Sequence, residues 1–277
     1  MILNNLNRGA RPPPSARVPS RRTASRFYAG YYPIFTNFGT SFQRMKLKTR
    51  IKRISKILFL YVPAGLILLS IAWVTLYKFV PVKWTPLMLK RNIEYRDQKD
   101  FRNHQIWVDI DDISKTMVTA VIASEDGRFM DHWGFDFEAI REMKKSHEKK
   151  GTKIRGCSTI SQQTAKNCFT FGSKSWLRKG VEAYYTFLIE IIWGKKRIME
   201  VYLNVAETGK GLYGVEAAAE KYFHCHASKL TRDQAICIAC VLPNPLVRNP
   251  QTAAQRHRTK YNNVSKTMKY VSYPFTP

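Results

Sequence analysis

Gly156-Cys157-Ser158-Thr159-Ile160-Ser161-Gln162-Gln163-Thr164-Ala165-Lys166-Asn167 is the stretch that decides how this chain folds. Thr159 with Gln162 three residues on has the form of a capping box: the threonine oxygen accepts from a free backbone N–H and the glutamine reaches back to the cap. The spacing predicts a helix that starts here and carries Gln163, Lys166 and Asn167 along one polar stripe. Two other polar blocks flank it. Upstream, Ile113, Met117, Val118, Val121 and Ile122 recur at helical spacing and run into Glu125-Asp126-Gly127-Arg128-Phe129-Met130-Asp131-His132-Trp133-Gly134. Downstream, Ser175 is the expected N-cap of a helix to Trp193 that contains Arg178-Lys179-Gly180-Val181-Glu182 and is stopped by Gly194. Its apolar stripe is Leu177, Val181, Tyr184, Leu188 and Ile192. Further helices are expected over residues 197–206, 214–222 and 232–242, while residues 144–155, with six basic residues and one glutamate, read as a mobile loop. Strand signals are weak and no repeat is visible, so the expected fold class is all-α.

The chain has 277 residues, 44% of them hydrophobic, enough for one ordinary domain with appendages. Its net charge of +26 is unevenly spread: residues 1–56 hold 13 Lys+Arg and no acid, and residues 81–277 hold 32 against 20. Such a charge implies an anionic partner, which could be nucleic acid, phospholipid or a phosphate-bearing substrate. Residues 57–80 narrow the choice. They carry one charge, Lys78, and as a helix would span roughly 36 Å, enough to cross a bilayer. Pro63 falls near the first turn, where a missing donor is tolerated, and no small-residue cleavage site follows, which disfavours a signal peptide. Residues 44–56 contain seven Lys+Arg and residues 81–93 three, so the amino terminus is expected in the cytoplasm and the large carboxyl-terminal part on the far side. Trp84 suits the membrane–water boundary.

Residues 1–44, rich in Arg, Pro, Ser and aromatics, read as disordered, and Met45 looks like a natural start; an organelle transit peptide is the competing reading. Cys157, Cys168, Cys225, Cys237 and Cys240 lack paired C-x-x-C spacing, and Cys237 with Cys240, one turn apart, is expected to line a core. The expected organisation is a basic tail over 1–56, a transmembrane helix over 57–80, a catalytic domain over 81–250 and a basic extension over 251–277.

The three blocks in order, together with Lys196-Arg197-Ile198-Met199-Glu200-Val201-Tyr202-Leu203-Asn204, Tyr213-Gly214-Val215-Glu216-Ala217-Ala218-Ala219 and Leu242-Pro243-Asn244-Pro245, resemble the signatures of the peptidoglycan glycosyltransferases in their monofunctional membrane-anchored form. The resemblance runs from about Pro81 to Pro250. It implies a lysozyme-like α fold and polymerisation of lipid II into glycan strands, with inversion at the donor and undecaprenyl pyrophosphate leaving. A hydroxyl nucleophile needs a carboxylate to take its proton, and a departing pyrophosphate needs positive charge. Glu125 matches the family's catalytic glutamate. For an isolated Glu-Asp the alternative would be a helix-terminal carboxylate paired with Arg128. Glu182 is the second carboxylate carried over from the family, associated there with positioning the pyrophosphate or a divalent cation, Mg or Mn; the alternative is an ion pair with Arg178 at i,i+4.

Lys166, Lys174, Arg178 and Lys179 are the expected diphosphate ligands. Asp126 and Asn167 are placed with the substrate-binding residues, and Ser158, Gln162 and Gln163 are expected on sugar hydroxyls, with helix capping as their alternative role. His132 is expected to order its loop by hydrogen bonding and Glu200 to be structural. Three positions depart from the family pattern: Cys157 stands for a usual glycine, Thr164 for an apolar residue and Lys174 for a frequent arginine, which weakens bidentate phosphate contact.

The expected partners are lipid II, the growing strand, the membrane, and cell-division or transpeptidase proteins, with no nucleic acid. No acylating Ser-x-x-Lys domain follows Pro250, so transpeptidation is expected from another protein. The expected location is the bacterial inner membrane with the domain in the periplasm. Two other readings compete. A lysozyme-like hydrolase would protonate a glycosidic oxygen and have no use for the basic cluster; a non-enzymatic protein would only bind anionic lipid.

Overall fold

A computed structural model describes residues 47–151, 157–171 and 175–275, Lys150 by its backbone only. The expectations for residues 1–44, for residues 152–155 of the expected loop and for Lys174 lie outside them. The chain divides into two compact units, Met1–Leu66 and Ile67–Pro277. Helix α1, Leu47–Phe79, is long and apolar enough to cross a membrane. A π-helical turn at Ile57–Tyr61 precedes Pro63, whose ring supplies no N–H to the helix.

In the second unit, α2 (Pro86–Glu94) starts on a Thr85 cap with proline in its first turn. Then come α3 (Lys115–Glu125), α4 (Phe137–Lys150), α5 (Ile160–Phe169), α6 (Trp176–Ile192) and α7 (Gly194–Val205). Helices α8 (Val215–Phe223), α9 (Arg232–Val241), α10 (Ala253–Arg256) and α11 (Arg258–Thr267) complete the all-α architecture. The sheet is minimal: β1 (His104–Gln105) pairs parallel with β3 (Leu212–Tyr213), which pairs antiparallel with β2 (Glu207–Gly209).

Two packing groups form the core. Helix α9 lies against α3, burying Ala235, Ile236, Ile238, Ala239 and both Cys237 and Cys240 against Met117, Val118, Val121 and Ile122. Helix α5 is held between α6 and α7. The carboxyl-terminal part of α1 joins this second group: Ser70 Oγ lies 2.7 Å from Tyr184 OH, Trp193 Nε1 donates to Val74 O at 2.7 Å, and Phe169 stacks among Trp73, Tyr77 and Tyr185. Gly214 has φ +82°, a conformation that favours glycine, and a Cβ there would also come 2.7 Å from Asn204 O, because the strand-to-helix turn passes too close to α7 for a side chain.

The caps fall where the sequence places them. Thr159 and Gln162 form the capping box of α5, and Ser175 Oγ accepts from Arg178 N at the start of α6. Residues 144–150 depart from expectation: they form the last two turns of α4. Asp136 caps α4 by accepting from Ala139 N, Gly151 ends it at φ +59°, and the apolar residues Phe137, Ile140 and Met143 keep helical spacing, so local capping outweighs the charge run. Residues 251–275, expected as an extension, fold as α10, α11 and a tail, with α11 packed on α3 and α9.

Candidate active site

Glu125 is the last residue of α3, so its carboxylate projects where the helix gives way to the Asp126–Gly134 loop. Its side chain is 8% exposed and held by three donors: Ser124 Oγ to Oε1 at 2.8 Å, Gln163 Nε2 to Oε2 at 3.2 Å, and Lys260 Nζ to Oε1 at 3.1 Å. Tyr202 OH donates to Gln163 Oε1 at 3.3 Å, which turns the amide NH₂ toward Glu125. Arg128 is not its partner. That guanidinium pairs with Asp136 at 2.9 Å and Glu138 at 2.5 Å instead.

The loop beyond Glu125 is pinned from below. His132 Nε2 lies 2.9 Å from Asp126 Oδ1, and Asp126 Oδ2 accepts from Ile160 N at 3.0 Å, a carboxylate at the positive end of α5. Thr159 Oγ1 donates to Gly134 O at 2.7 Å, and Lys195 Nζ donates to His132 O at 2.6 Å and to Glu190 at 2.8 Å. Gly134, at φ +81°, leaves no room for a Cβ, which would meet Thr186 Cγ2 at 2.6 Å. Asp126 and Gln162 both have structural partners, and Gln162 takes the capping role that was its alternative. Both are buried; Asp126 joins loop to helix, and Gln162 Oε1 accepts from Thr159 N inside the capping box.

Glu125, Ser158, Gln163 and Lys166 line one cleft of about 1090 Å³. Asn167, with Gln163 and Lys166, lines an adjoining hollow of about 260 Å³ that reaches Tyr202 and residues 242–246. Lys166 makes no ion pair among the described residues, and its side chain is open to the cleft. Desolvation by the surrounding protein lowers its pKa from the usual lysine value; Glu182 acts against this, Arg178 and Lys179 reinforce it, and Glu125 opposes it. Of these four neighbours, Arg178, Lys179 and Glu182 form a unit on the first two turns of α6. Glu182, 3% exposed, receives Arg178 Nη1 at 2.5 Å on one oxygen and Lys179 Nζ on the other. It is a buried, doubly paired carboxylate that orients two cations. A divalent cation does not fit on it in this arrangement, because both oxygens already face a positive charge.

Two of the positions that depart from the expected pattern, Cys157 and Thr164, are accommodated locally. Cys157 Sγ donates to Met143 Sδ at 3.3 Å, and burial pushes its thiol pKa up. Thr164 Oγ1 donates to Ile160 O at 2.8 Å, so the buried hydroxyl is satisfied within its own helix. Glu200 is structural, paired with Arg197 and accepting from Ile110 N. Sequence reasoning missed the far wall of the cleft, formed by Arg248, Arg256, Arg258, Lys260 and Asn263. The available signal was the basic run Arg256-His257-Arg258-Thr259-Lys260, which lies past the expected domain boundary.

The α domain carries a cleft that sets one near-buried carboxylate beside a cluster of cations. Comparison with known proteins gives the particular family. Residues 92–269 match the Transglycosylase family, a span that includes α10 and α11. The "Biosynthetic peptidoglycan transglycosylase" of Escherichia coli O127:H6 (strain E2348/69 / EPEC) is 50% identical over 186 residues, 65% of this chain and 77% of the relative. The protein of the same name from Escherichia coli O1:K1 / APEC is 49% identical with the same coverage. The chain belongs to the transglycosylase family of peptidoglycan glycosyltransferases and polymerises lipid II into glycan strands.

Proposed function

We propose that Glu125 is the general base of this polymerisation and that Lys166, Arg178 and Lys179 hold the leaving diphosphate. The 4-hydroxyl of the acceptor attacks C1 of the donor sugar. As the new C–O bond forms, the hydroxyl proton passes to Glu125, and the bond from C1 to the phosphate oxygen breaks with its electron pair on the pyrophosphate. The carboxylate keeps its place because Gln163, Ser124 and Lys260 direct their donors at it. Growing charge on the leaving oxygen is met by Lys166 and by the two cations that Glu182 orients. Ser158, Gln163 and Asn167 offer hydrogen bonds to sugar hydroxyls, and Lys174 adds a further cation from the same stretch of sequence.

The observation that carries this reading is that Glu125 and Lys166 open onto one cleft and share Gln163 as a neighbour. A glycan-cleaving enzyme would use an acid on an uncharged leaving group, for which the cations have no task. The membrane part of the reading is that α1 crosses the bacterial inner membrane once, amino terminus in the cytoplasm and catalytic unit in the periplasm, supported by the charge difference across the span. Cell-division and transpeptidase proteins are the proposed protein partners. Incubating the detergent-solubilised protein with labelled lipid II and separating the products tests the chemistry. Long polymer is expected; shortened pre-formed glycan would indicate hydrolysis, and unchanged lipid II would remove the enzyme reading.

A further inference from the structure

We propose that α4 is a docking surface for anionic phospholipid headgroups, resting its cationic face on the bilayer that α1 crosses. The inference rests on the membrane-anchored reading above. Helix α4 is 14 residues long, and among the described residues none of its side chains is fully buried and no other element packs broadly against it. Only Ala139, Ile140, Met143 and Ser146 are partly covered, which marks a single inner edge. Two of its acids, Glu138 and Glu142, are drawn back to Arg128 at 2.5 and 3.8 Å. What remains outside is mostly basic, with the acid Glu148 among it. Arg141, Lys145 and Lys149 form an i,i+4 row with Lys144 beside it, all exposed and none in an ion pair among the described residues.

The segment that launches α4 supplies the apolar half of a bilayer interface. Trp133 is 75% exposed and Phe137 70%, and Phe137 stacks on Phe135 with ring centroids 6.1 Å apart. Gly134 seats this segment directly on Thr186 and Glu190 of α6. Helix α6 in turn touches the membrane helix through Tyr184 and Ser70, and it leaves Trp176, Leu177, Phe187 and Ile191 uncovered. Apolar groups therefore run outward from α1 across α6 to Trp133 and Phe137, and the cationic row follows. That order matches a bilayer, with aromatic rings at the acyl boundary and lysines among negative headgroups. A nucleic acid would leave the exposed aliphatic groups Leu177 and Ile191 without an apolar partner. The substrate diphosphate is a separate matter, since no α4 residue lines the catalytic cleft.

The test reconstitutes the full chain in nanodiscs of phosphatidylcholine alone or with phosphatidylglycerol and follows hydrogen exchange of residues 137–149. Exchange should slow by roughly tenfold or more when phosphatidylglycerol is present, because each cation near the surface adds attraction. High salt should abolish the effect. A variant with Arg141→Gln, Lys145→Gln and Lys149→Gln should lose it while α3 and α9 exchange as before; Lys229→Gln, away from α4, should keep it. Equal exchange in both lipids would overturn the docking alone. Protection produced in phosphatidylcholine by added lipid II, and none by phosphatidylglycerol, would assign the row to substrate and also overturn it. A chain that enters neither kind of disc would overturn the anchor, and this inference with it.

Discussion

The ammonium of Lys166 faces the cleft among Glu125, Glu182, Arg178 and Lys179, and its pKa is lowered chiefly by desolvation. The cationic form is the one that binds diphosphate, so a lowered pKa means that binding fades on the alkaline side sooner than for an ordinary lysine. Affinity for a lipid-linked diphosphate, measured from pH 7 upward, should fall through the Lys166 titration. Lys166→Arg should remove that fall and keep partial activity, while Lys166→Ala should lower both affinity and turnover; an alanine variant with normal affinity and rate would reduce the residue to surface charge. Lys260 offers a second residue-level test, because its ion pair fixes one oxygen of Glu125. Lys260→Met should slow turnover by up to ~10²-fold through misplacement of the carboxylate, and Lys260→Arg should retain most of the rate. No reading of local sequence could pair these two, which are 135 residues apart. Glu125 and Lys166 stand out in the sequence because each sits in a compact polar block, whereas Lys260 reaches the cleft only because α11 folds back onto α3.

At the scale of elements, the capping box of α5 does two jobs. Thr159 Oγ1 accepts from Gln162 N and donates to Gly134 O, tying the start of the helix to the end of the Glu125 loop. Thr159→Ala should cost about 2 kcal/mol, combining a lost cap with a buried carbonyl left unpaired, as read by denaturant unfolding. A second joint lies beyond α8, where the buried Glu216 carboxylate receives His226 Nδ1 at 2.7 Å and Ala227 N at 2.6 Å. The hydrogen bond to Glu216 raises the His226 pKa above its usual value. A histidine with a raised folded-state pKa stabilises fully below its unfolded pKa of about 6.5 and loses that contribution as pH climbs through the folded value. Thermal stability should therefore decline across that window, and His226→Gln should flatten the decline; an identical pH dependence in the variant would remove the joint from the account. The caps were readable because they depend on neighbours three residues away. Gln162 takes the capping role that its spacing from Thr159 offered, whereas the Asp126 side chain looks available in sequence and only the approach of α5 to the loop shows it occupied.

For the molecule as a whole, helix periodicity fixed the elements on either side of the cleft, and the ordered polar blocks located its floor. Its far wall came from residues that charge alone marked as an appendage. The cleft exists because α3, α5 and α11 converge, setting a carboxylate that ends one helix against a cation on each of the other two. Removing the base while keeping its shape is therefore the most direct test of the central claim. The measurement is the rate of polymer formation from labelled lipid II by Glu125→Gln beside the parent protein, with lipid II binding recorded on the same preparations. The account predicts a loss of ~10²- to 10⁴-fold in rate with binding and folding retained; a variant that keeps more than roughly a tenth of the parent rate would contradict it, since one general base is expected to contribute far more than that.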